Sequence, residues 1–216
     1  NLLQQIKKTT STRFVVASSS SVYGASASAP FDETGESSKP VSPYAASKKS
    51  CEVLCHTYSH LHGIPTTMLR FFTVYGPKQR PEMAIAKFID IVERGEKVPM
   101  FGDGQSTRDY TFIDDIVDGI ILSAEGCEGW NIYNLGNASP VTLKQMIEAV
   151  GEACGREPIV EKLADQPGDV PLTFADISAA KRDLGYEPKV SLIEGIKRYR
   201  DWLSKNSFRK ELEKNG

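Results

Sequence analysis

Residues 42–48 read Ser-Pro-Tyr-Ala-Ala-Ser-Lys, and the segments on either side of them set the fold. Ser42 can cap a helix and Pro43 suits its first turn, so a helix is predicted to begin here. Tyr44 and Lys48 then lie one turn apart on the same face, which places a phenol beside an ammonium group. Because a nearby cation favours the phenolate, this pair could act as a general base near neutral pH. The alternative is an ordinary helix start with an exposed lysine, and the spacing alone does not separate the two.

That helix lies between two predicted strands. The apolar run within residues 13–18 predicts a strand that is buried on both faces, as in a parallel sheet. The helix is expected to run to about Leu61 and to stop at Gly63, and residues 65–72 form the next strand. Strand, helix and strand in this order make a βαβ unit, so the two strands are predicted to be parallel with a right-handed crossover. The predicted fold class is therefore α/β.

Four consecutive serines, at positions 18–21, follow the first strand directly. In open α/β sheets, ligands bind beyond the carboxyl ends of the strands, so hydroxyl groups at this strand end are well placed to meet one. The alternative is a serine-rich loop without a ligand.

Further helices and strands follow along the chain. Helices are predicted over residues 1–8, 82–94, 112–125, 142–154, 176–185 and 191–204, and strands over residues 98–101, 108–111 and 131–136. Thr142 with Gln145, and Ser191 with Glu194, form capping-box patterns at two of the helix starts. An acidic residue near Asp114 is expected to cap the helix that begins at residue 112.

Composition narrows the class of function. The chain has 216 residues, of which 40% are hydrophobic and 25% charged, as is ordinary for a globular protein. Lys and Arg number 26 against 28 Asp and Glu, so the net charge of -2 offers no electrostatic footprint for nucleic acid. No apolar run approaches the roughly 18 residues of a membrane span. Neither nucleic acid nor a membrane is therefore expected as a partner.

The cysteines do not form a dense disulfide framework, which favours a reducing compartment, and the expected location is the cytoplasm. The four of them are Cys51, Cys55, Cys127 and Cys154. Cys51 and Cys55 lie close in sequence to His56, His60 and His62, which raises the possibility of a metal site. However, His56 departs from the face of the two cysteines by about 100° and no second ligand pair recurs, so packing and surface placement are preferred and no metal is expected.

Four motifs together resemble those of the extended short-chain dehydrogenase/reductase superfamily, and within it those of the nucleotide-sugar epimerases. They are Ser-Ser-Ser-Ser-Val-Tyr-Gly at 18–24, Tyr-x-x-x-Lys at 44–48, Leu-Arg-Phe-Phe-Thr-Val-Tyr-Gly-Pro at 69–77 and Gly-Asp-Gly-Gln-Ser-Thr-Arg-Asp-Tyr at 102–110. The resemblance implies the C-terminal part of a Rossmann-type parallel sheet plus a small α+β substrate-binding lobe. An incomplete NAD-binding domain would comprise residues 1–79 and 107–138, and the nucleotide-sugar-binding lobe residues 80–106 and 139–216.

The resemblance also implies roles for residues at the strand ends and on the helix. Tyr44 would be the base, while Lys48 would lower its pKa and hold the nicotinamide ribose of NAD. Ser19 would bridge Tyr44 and the sugar hydroxyl, and Ser18 and Phe71 would lie beside NAD. The implied chemistry is a reversible hydride exchange at C4 of the sugar through a 4-keto intermediate, with no net redox change.

For the nucleotide, the resemblance places Arg108 on the diphosphate, a contact that suits a planar guanidinium. Val98 and Phe101 would lie along the base and Asp169 would hold the ribose, although Gln166 stands where many relatives have an arginine. The alternative for Arg108 is a salt bridge to Asp109 or Asp114.

For the sugar, the resemblance favours epimerisation over dehydration, because dehydratases carry an Asp-Glu pair where this chain has Ser20 and Ser21. Residues 73–84 look like the corresponding segment of UDP-glucuronate 4-epimerases. Thr73 would then contact the sugar and Arg80 could pair with its C6 carboxylate, although an arginine here could instead only anchor the loop. UDP-glucuronate is preferred slightly to UDP-glucose or UDP-galactose.

One departure from the superfamily pattern bears on the cofactor. Members begin with a strand, a Gly-rich turn and a helix that cradles the NAD pyrophosphate, over about a hundred residues ahead of the position of Asn1. No G-x-x-G-x-x-G stands ahead of the first strand here. The chain as given is therefore expected to bind NAD poorly or not at all, and to leave the edge of its first strand open to pairing.

Two alternatives to an active epimerase follow from that departure. One is a catalytically silent module that still binds a nucleotide sugar, and the other is an oligomerisation remnant. The superfamily resemblance implies a homodimer that pairs the helix at 44–61 with the helix at 82–94 in a four-helix bundle.

Overall fold

The structure is a computed structural model that describes residues 2–9, 13–25, 28–165 and 171–206. Its helices are α1 (Leu2–Ile6), α2 (Pro43–His62), α3 (Ala84–Arg94), α4 (Ile113–Glu125), α5 (Leu143–Cys154), α6 (Ser178–Leu184) and α7 (Leu192–Lys205). Its strands are β1 (Phe14–Ser19), β2 (Thr66–Phe71), β3 (Thr73–Tyr75), β4 (Lys97–Phe101), β5 (Thr107–Arg108), β6 (Tyr110–Phe112), β7 (Trp130–Leu135), β8 (Val141–Thr142) and β9 (Ile159–Leu163). A 3-10 turn, Ser20–Tyr23, follows β1.

A parallel three-stranded sheet in the order β1-β2-β7 carries the predicted βαβ unit. Ser19 of β1 lies opposite Phe71 of β2, and Phe71 lies opposite Leu135 of β7. The three strands therefore end at the same edge of the sheet. The prediction of an α/β fold with parallel strands is confirmed.

Burial differs between the strands of this sheet. Five of the six residues of β2 are buried, because β2 has a hydrogen-bonded strand on each side. In β1, by contrast, only Ser18 is buried and Ala17 is exposed. Since β1 pairs only with β2 among the described strands, the prediction that this strand is buried on both faces is wrong.

The helix α2 begins and ends where its signals predict. The Ser42 side chain accepts a hydrogen bond from the amide of Ala45, Pro43 occupies the first turn and Gly63 takes a left-handed conformation at φ 63°. The buried residues of the helix recur on one face, which packs on β1 and β2; they are Ala45, Glu52, Cys55 and Ser59. Cys55 is therefore a core residue, whereas Cys51 is exposed.

A hydrophobic cluster forms away from the three-stranded sheet, where α3, α5 and α7 pack together beside β4. Ile89, Met146 and Ile196 are among its most deeply buried members. The helix α3 buries seven of its eleven residues in the chain, most of them in this cluster. It therefore has no broad apolar face left for a second copy, and the predicted use of residues 82–94 in a four-helix bundle is not supported.

Three helix starts can be compared with their sequence signals. The capping box of Thr142 and Gln145 is present. Of the box predicted for Ser191 and Glu194, only the hydrogen bond from the Glu194 amide to the Ser191 side chain is found, and the Glu194 carboxylate pairs with Arg198. Phe112, rather than an acidic residue, is the N-cap of α4 and makes no side-chain cap. Asp115 instead turns inward and accepts hydrogen bonds from the backbone amides of residues 189 and 190.

The strand β9 was not predicted. It pairs in parallel with β4, yet all five of its residues are exposed. A strand with neither face buried shows no apolar alternation, so its sequence carries no strand signal.

None of the helices in the described part of the chain combines the length and apolar character that a membrane span requires.

Candidate functional site

The Tyr44 and Lys48 pair lies in the first two turns of α2, beside the end of β1. The Lys48 Nζ donates a hydrogen bond of 2.9 Å to the Ala17 carbonyl and lies 5.9 Å from the centroid of the Tyr44 ring. The Tyr44 side chain remains 56% exposed. The backbone of β1 thus fixes the ammonium group beside a phenol that a ligand can reach.

Ser19 ends β1 and caps the turn that follows it. Its Oγ accepts hydrogen bonds from the Ser21 amide at 3.2 Å and from the Ser21 hydroxyl at 2.9 Å. Ser19, Ser20 and Ser21 are all half-buried at the carboxyl edge of the sheet, where Phe71 lies opposite Ser19. The structure therefore brings these predicted site residues to one edge.

Ser18 faces the interior and does not line that edge. It is 3% exposed and its hydroxyl donates a 2.7 Å hydrogen bond to Glu52. Because side chains alternate along a strand, Ser18 and Ser19 point to opposite faces. The prediction that Ser18 lies beside NAD is therefore corrected for its side chain, because the hydroxyl binds Glu52 and helps to hold α2 against the sheet.

Glu52 and Arg70 form a buried ion pair beneath the site. Arg70 donates to both carboxylate oxygens of Glu52 at 2.9 Å, and the two side chains are 1% and 2% exposed. Lys49 adds a contact of 3.2 Å to the same carboxylate. Burial alone would raise the pKa of Glu52, but hydrogen bonds from Arg70 and Ser18 lower it below the ordinary value. The pair clamps α2 to β1 and β2.

The sequence analysis did not identify this ion pair. Two signals for it were present: a glutamate one turn beyond Lys48, and an arginine inside the otherwise uncharged strand at 66–71. A charged residue in a buried strand requires a partner, but the sequence does not say which one.

The tyrosine of the Val-Tyr-Gly motif, Tyr23, is also structural. Its hydroxyl donates to the Asn134 side chain at 2.7 Å, and the Arg70 guanidinium lies 4.7 Å from its ring centroid. Burial raises the pKa of Tyr23 to about 12. Glu33 accepts the Asn134 amide at 2.7 Å, and burial raises the pKa of that carboxyl. Tyr23 therefore stays protonated near neutral pH and links the turn after β1 to β7.

A cavity of about 370 Å³ lies between α3, β4 and β6. Residues from α3, β4, β5, β6 and α5 and from the loops around them line it, namely Glu82, Ala84, Lys87, Phe88, Pro99, Phe101, Ser106, Arg108, Tyr110 and Leu143. Its volume is at the lower end of small-molecule sites. Two of the residues predicted to bind the nucleotide, Phe101 and Arg108, are therefore in one cavity.

Val98 does not line this cavity. It is fully buried in the cluster of α3, α5 and α7, where Met100 is also buried, whereas Pro99 and Phe101 are half-buried and line the cavity. The alternation of β4 places residues 98 and 100 on the core face. Pro99 thus occupies the place that was predicted for Val98.

Asp109, next to Arg108, is fully buried. Its carboxylate accepts hydrogen bonds from the amides of Asn137, Ala138 and Ala175 at 2.9 to 3.1 Å. Burial raises the pKa of Asp109, and the three amides oppose that rise. This carboxylate therefore holds the loop after β7 and the backbone near residue 175. Asp114, the other proposed partner of Arg108, lies 3.6 Å from Arg198.

Two further predicted residues, Thr73 and Arg80, lie near the cavity but do not line it. Thr73 lies opposite Tyr110, a lining residue, and its amide donates to the Asp109 carbonyl at 3.1 Å. The Arg80 side chain is 77% exposed and pairs at 3.4 Å with Glu82, which does line the cavity. Asp169 and Gln166 lie outside the described residues.

Several lining residues went unrecognised in the sequence. Ala84, Lys87 and Phe88 share one face of α3 at helical spacing, which was the available signal.

In the part of the chain that the structure describes, no group of three or more His, Cys, Asp or Glu residues is arranged to hold a metal ion.

Comparison with known proteins agrees with these observations. The family model described as GDP-mannose 4,6 dehydratase matches residues 1–199. A probable UDP-glucuronate 4-epimerase of Rhizobium meliloti is 37% identical over 225 residues, covering 95% of this chain and 66% of the relative. The UDP-glucuronate 4-epimerase of Thermodesulfobacterium geofontis is 42% identical over 207 residues, covering 95% and 64%. This chain thus spans less than two thirds of the length of these relatives.

The solved structures to which this chain is similar also include nucleotide-sugar 4-epimerases. The UDP-glucuronic acid 4-epimerase of Bacillus cereus, in complex with UDP-glucuronic acid and NAD, has a TM-score of 0.86 and 36% identity over 94% of this chain and 65% of that one. The UDP-glucose 4-epimerase of Thermotoga maritima, with UDP-glucose, has a TM-score of 0.86 and 34% identity over 98% and 68%. With a family model matching 199 of its 216 residues, the chain belongs to the GDP-mannose 4,6-dehydratase family of the short-chain dehydrogenase/reductase superfamily, which includes NAD-dependent nucleotide-sugar epimerases.

Proposed function

We propose that this chain carries the proton-transfer pair and the nucleotide cavity of an NAD-dependent UDP-sugar 4-epimerase. The single observation that carries the proposal is Lys48, held by the Ala17 carbonyl beside the exposed phenol of Tyr44. The similarity to two UDP-glucuronate 4-epimerases supports UDP-glucuronate as the preferred substrate.

Residues at the carboxyl edge of the sheet fit the nicotinamide-ribose end of NAD. An ammonium group has three donors, and Lys48 spends one on Ala17, so two are left for ribose hydroxyls. Phe71 offers a half-buried aromatic side chain at the same edge. When bound there, NAD would supply the hydride acceptor and donor that exchange at C4 of the sugar requires.

The residues of the chain move the proton. The Tyr44 phenolate takes the proton from the C4 hydroxyl, and the Lys48 charge stabilises that phenolate. The Ser19 Oγ already accepts two hydrogen bonds from Ser21, so its own hydrogen is left to donate towards the sugar oxygen or Tyr44. Ser20 and Ser21 provide no acid and base for elimination of water, which supports epimerisation.

A second candidate is a nucleotide-sugar-binding module without epimerase activity. It is favoured by the placement of Arg108 and Phe101 in a cavity that Tyr44 and Lys48 do not line. Such a module would bind UDP-sugar through the cavity whether or not NAD is held.

Incubation of the chain with NAD and UDP-glucuronate, followed by NMR detection of UDP-galacturonate, tests the proposal. Because weak NAD binding is expected for the chain as given, conversion is expected to be low, and whatever conversion occurs should be lost in Tyr44→Phe with UDP binding retained. Calorimetric binding of UDP-glucuronate without conversion would favour the silent module. Absence of binding of both UDP-glucuronate and NAD would favour an oligomerisation remnant.

A further inference from the structure

The cavity of α3, β4 and β6 contains a cation that the nucleotide prediction did not include. Lys87 lines it together with Arg108. Among the described residues, the Lys87 ammonium group makes no hydrogen bond or ion pair, whereas the one acidic lining residue, Glu82, is paired with Arg80 at 3.4 Å. No residue in the described part of the chain therefore neutralises the positive charge of Lys87.

The start of α3 reinforces the positive character of this wall. Met83 is the N-cap of this eleven-residue helix and its side chain makes no cap hydrogen bond. Ala84, the first residue of the helix, lines the cavity one turn before Lys87. The partial positive charge of a helix N-terminus adds to the ammonium charge, so an anion is favoured on this side.

Much of the remaining lining of the cavity is apolar. Phe88, Pro99, Phe101 and Leu143 give the cavity an apolar lining that suits the flat face of a base. A cavity with two cations and an apolar wall fits a nucleoside diphosphate better than it fits an uncharged sugar.

We propose that Lys87 is a second diphosphate-binding residue, which acts with Arg108 on the phosphates of the nucleotide sugar; this inference rests on the proposed function. Arg108 offers a planar, bidentate contact, and Lys87 offers a point charge from the facing helix. Hydrogen bonds to charged groups stabilise by more than neutral ones, and loss of one such contact weakens binding about tenfold.

Calorimetric titration of the chain with UDP and with uridine, at two salt concentrations, tests the assignment. Lys87→Met is expected to weaken UDP binding about tenfold, to reduce its salt dependence and to leave uridine binding unchanged. Lys87→Arg keeps the charge and should restore most of the affinity. Lys144→Met is the matched control, because Lys144 is 62% exposed, pairs with Glu148 and follows the lining residue Leu143.

The outcomes separate this inference from the proposed function. If UDP binding requires Arg108 but is the same in the parent and Lys87→Met, or falls equally in Lys144→Met, the role of Lys87 is overturned and the proposed function stands. If the parent chain does not bind UDP at all, the proposed function is overturned and the role of Lys87 is overturned with it. Since Lys87 is exposed, circular dichroism should show an unchanged fold in both variants.

Discussion

At the scale of single residues, the pair of Glu52 and Arg70 is the most deeply buried ion pair among the described residues. Glu52→Gln would leave the Arg70 charge buried without a counter-ion, so we expect the free energy of unfolding to fall by about 3 to 5 kcal/mol. Glu161→Gln is the matched control, because Glu161 pairs with Lys97 at 3.4 Å on the surface, where about 1 kcal/mol or less is expected. Urea denaturation measures both, and equal losses would contradict the assigned role of Glu52.

The same pair predicts a pH dependence of stability. The folded-state pKa of Glu52 lies below its ordinary value of 4.5, so its contribution is fully present above that value and is lost as pH falls through the folded-state pKa. The difference in unfolding free energy between the parent and Glu52→Gln should therefore be constant from pH 7 to about pH 5 and shrink below it. A difference that grows on acidification, measured by urea denaturation at each pH, would reverse the sign of the effect.

We propose that Arg80 distinguishes uronate from neutral sugars. Its guanidinium is exposed and paired with Glu82 at the rim of the cavity, so it could turn to a C6 carboxylate. We expect Arg80→Leu to reduce turnover or binding of UDP-glucuronate by about tenfold while UDP-galactose is little affected. Parallel measurements with the two substrates check this, and an equal loss for both would remove Arg80 from substrate selection.

At the scale of elements, α7 packs closely against aromatic side chains of β3 and β6. A Cβ at position 195 would lie 2.8 Å from Tyr75 Cζ and 2.9 Å from Phe112 Cδ2, and both rings are buried. Alanine has the higher helix propensity by up to about 1 kcal/mol, but overpacking costs about 1 to 3 kcal/mol. Gly195→Ala is therefore expected to lower the thermal midpoint.

A second glycine provides the control for that substitution. Gly126 follows α4 with φ at -93°, and a Cβ there would find its nearest neighbour, the Leu122 carbonyl oxygen, at 3.4 Å. Gly126→Ala should thus leave the thermal midpoint nearly unchanged. If calorimetry shows no difference between the two variants, the close approach of α7 to Tyr75 does not contribute to stability.

At the scale of the whole molecule, the exposed apolar side chains of α2 offer a surface for self-association. The helix α2 exposes Val53, Leu54 and Leu61 at 54 to 66%, while α3 is occupied by contacts in its own chain. We propose a homodimer through α2, and Leu54→Glu is expected to convert it to a monomer. Val117→Glu, on the exposed side of α4, is the control; light scattering that shows both variants dimeric would contradict the proposal.

The predictions that succeeded rest on local signals. Ser42, Pro43 and Gly63 mark the ends of α2, and Thr142 with Gln145 marks the start of α5, because a cap depends on residues at most a few positions apart. The resemblance to the nucleotide-sugar epimerases also rests on short motifs, each of which is a run of neighbouring residues. The local signal failed at the start of α4, where an acidic cap near Asp114 was expected. The N-cap is Phe112, and the neighbouring Asp115 accepts hydrogen bonds from the amides of residues 189 and 190 in a distant part of the chain.

The sequence by itself determined the βαβ unit and the pairing of Tyr44 with Lys48, because helix periodicity and the i, i+4 spacing are properties of neighbouring residues. The family was indicated by the resemblance of its motifs to those of nucleotide-sugar epimerases. Only the tertiary structure decided that Lys48 is held by the Ala17 carbonyl, that Ser18 faces Glu52 and that Pro99 rather than Val98 lines the cavity. These outcomes depend on the face that each strand turns towards the core. Ser18 and Glu52 are 34 residues apart, and their contact exists only once α2 has packed on the sheet.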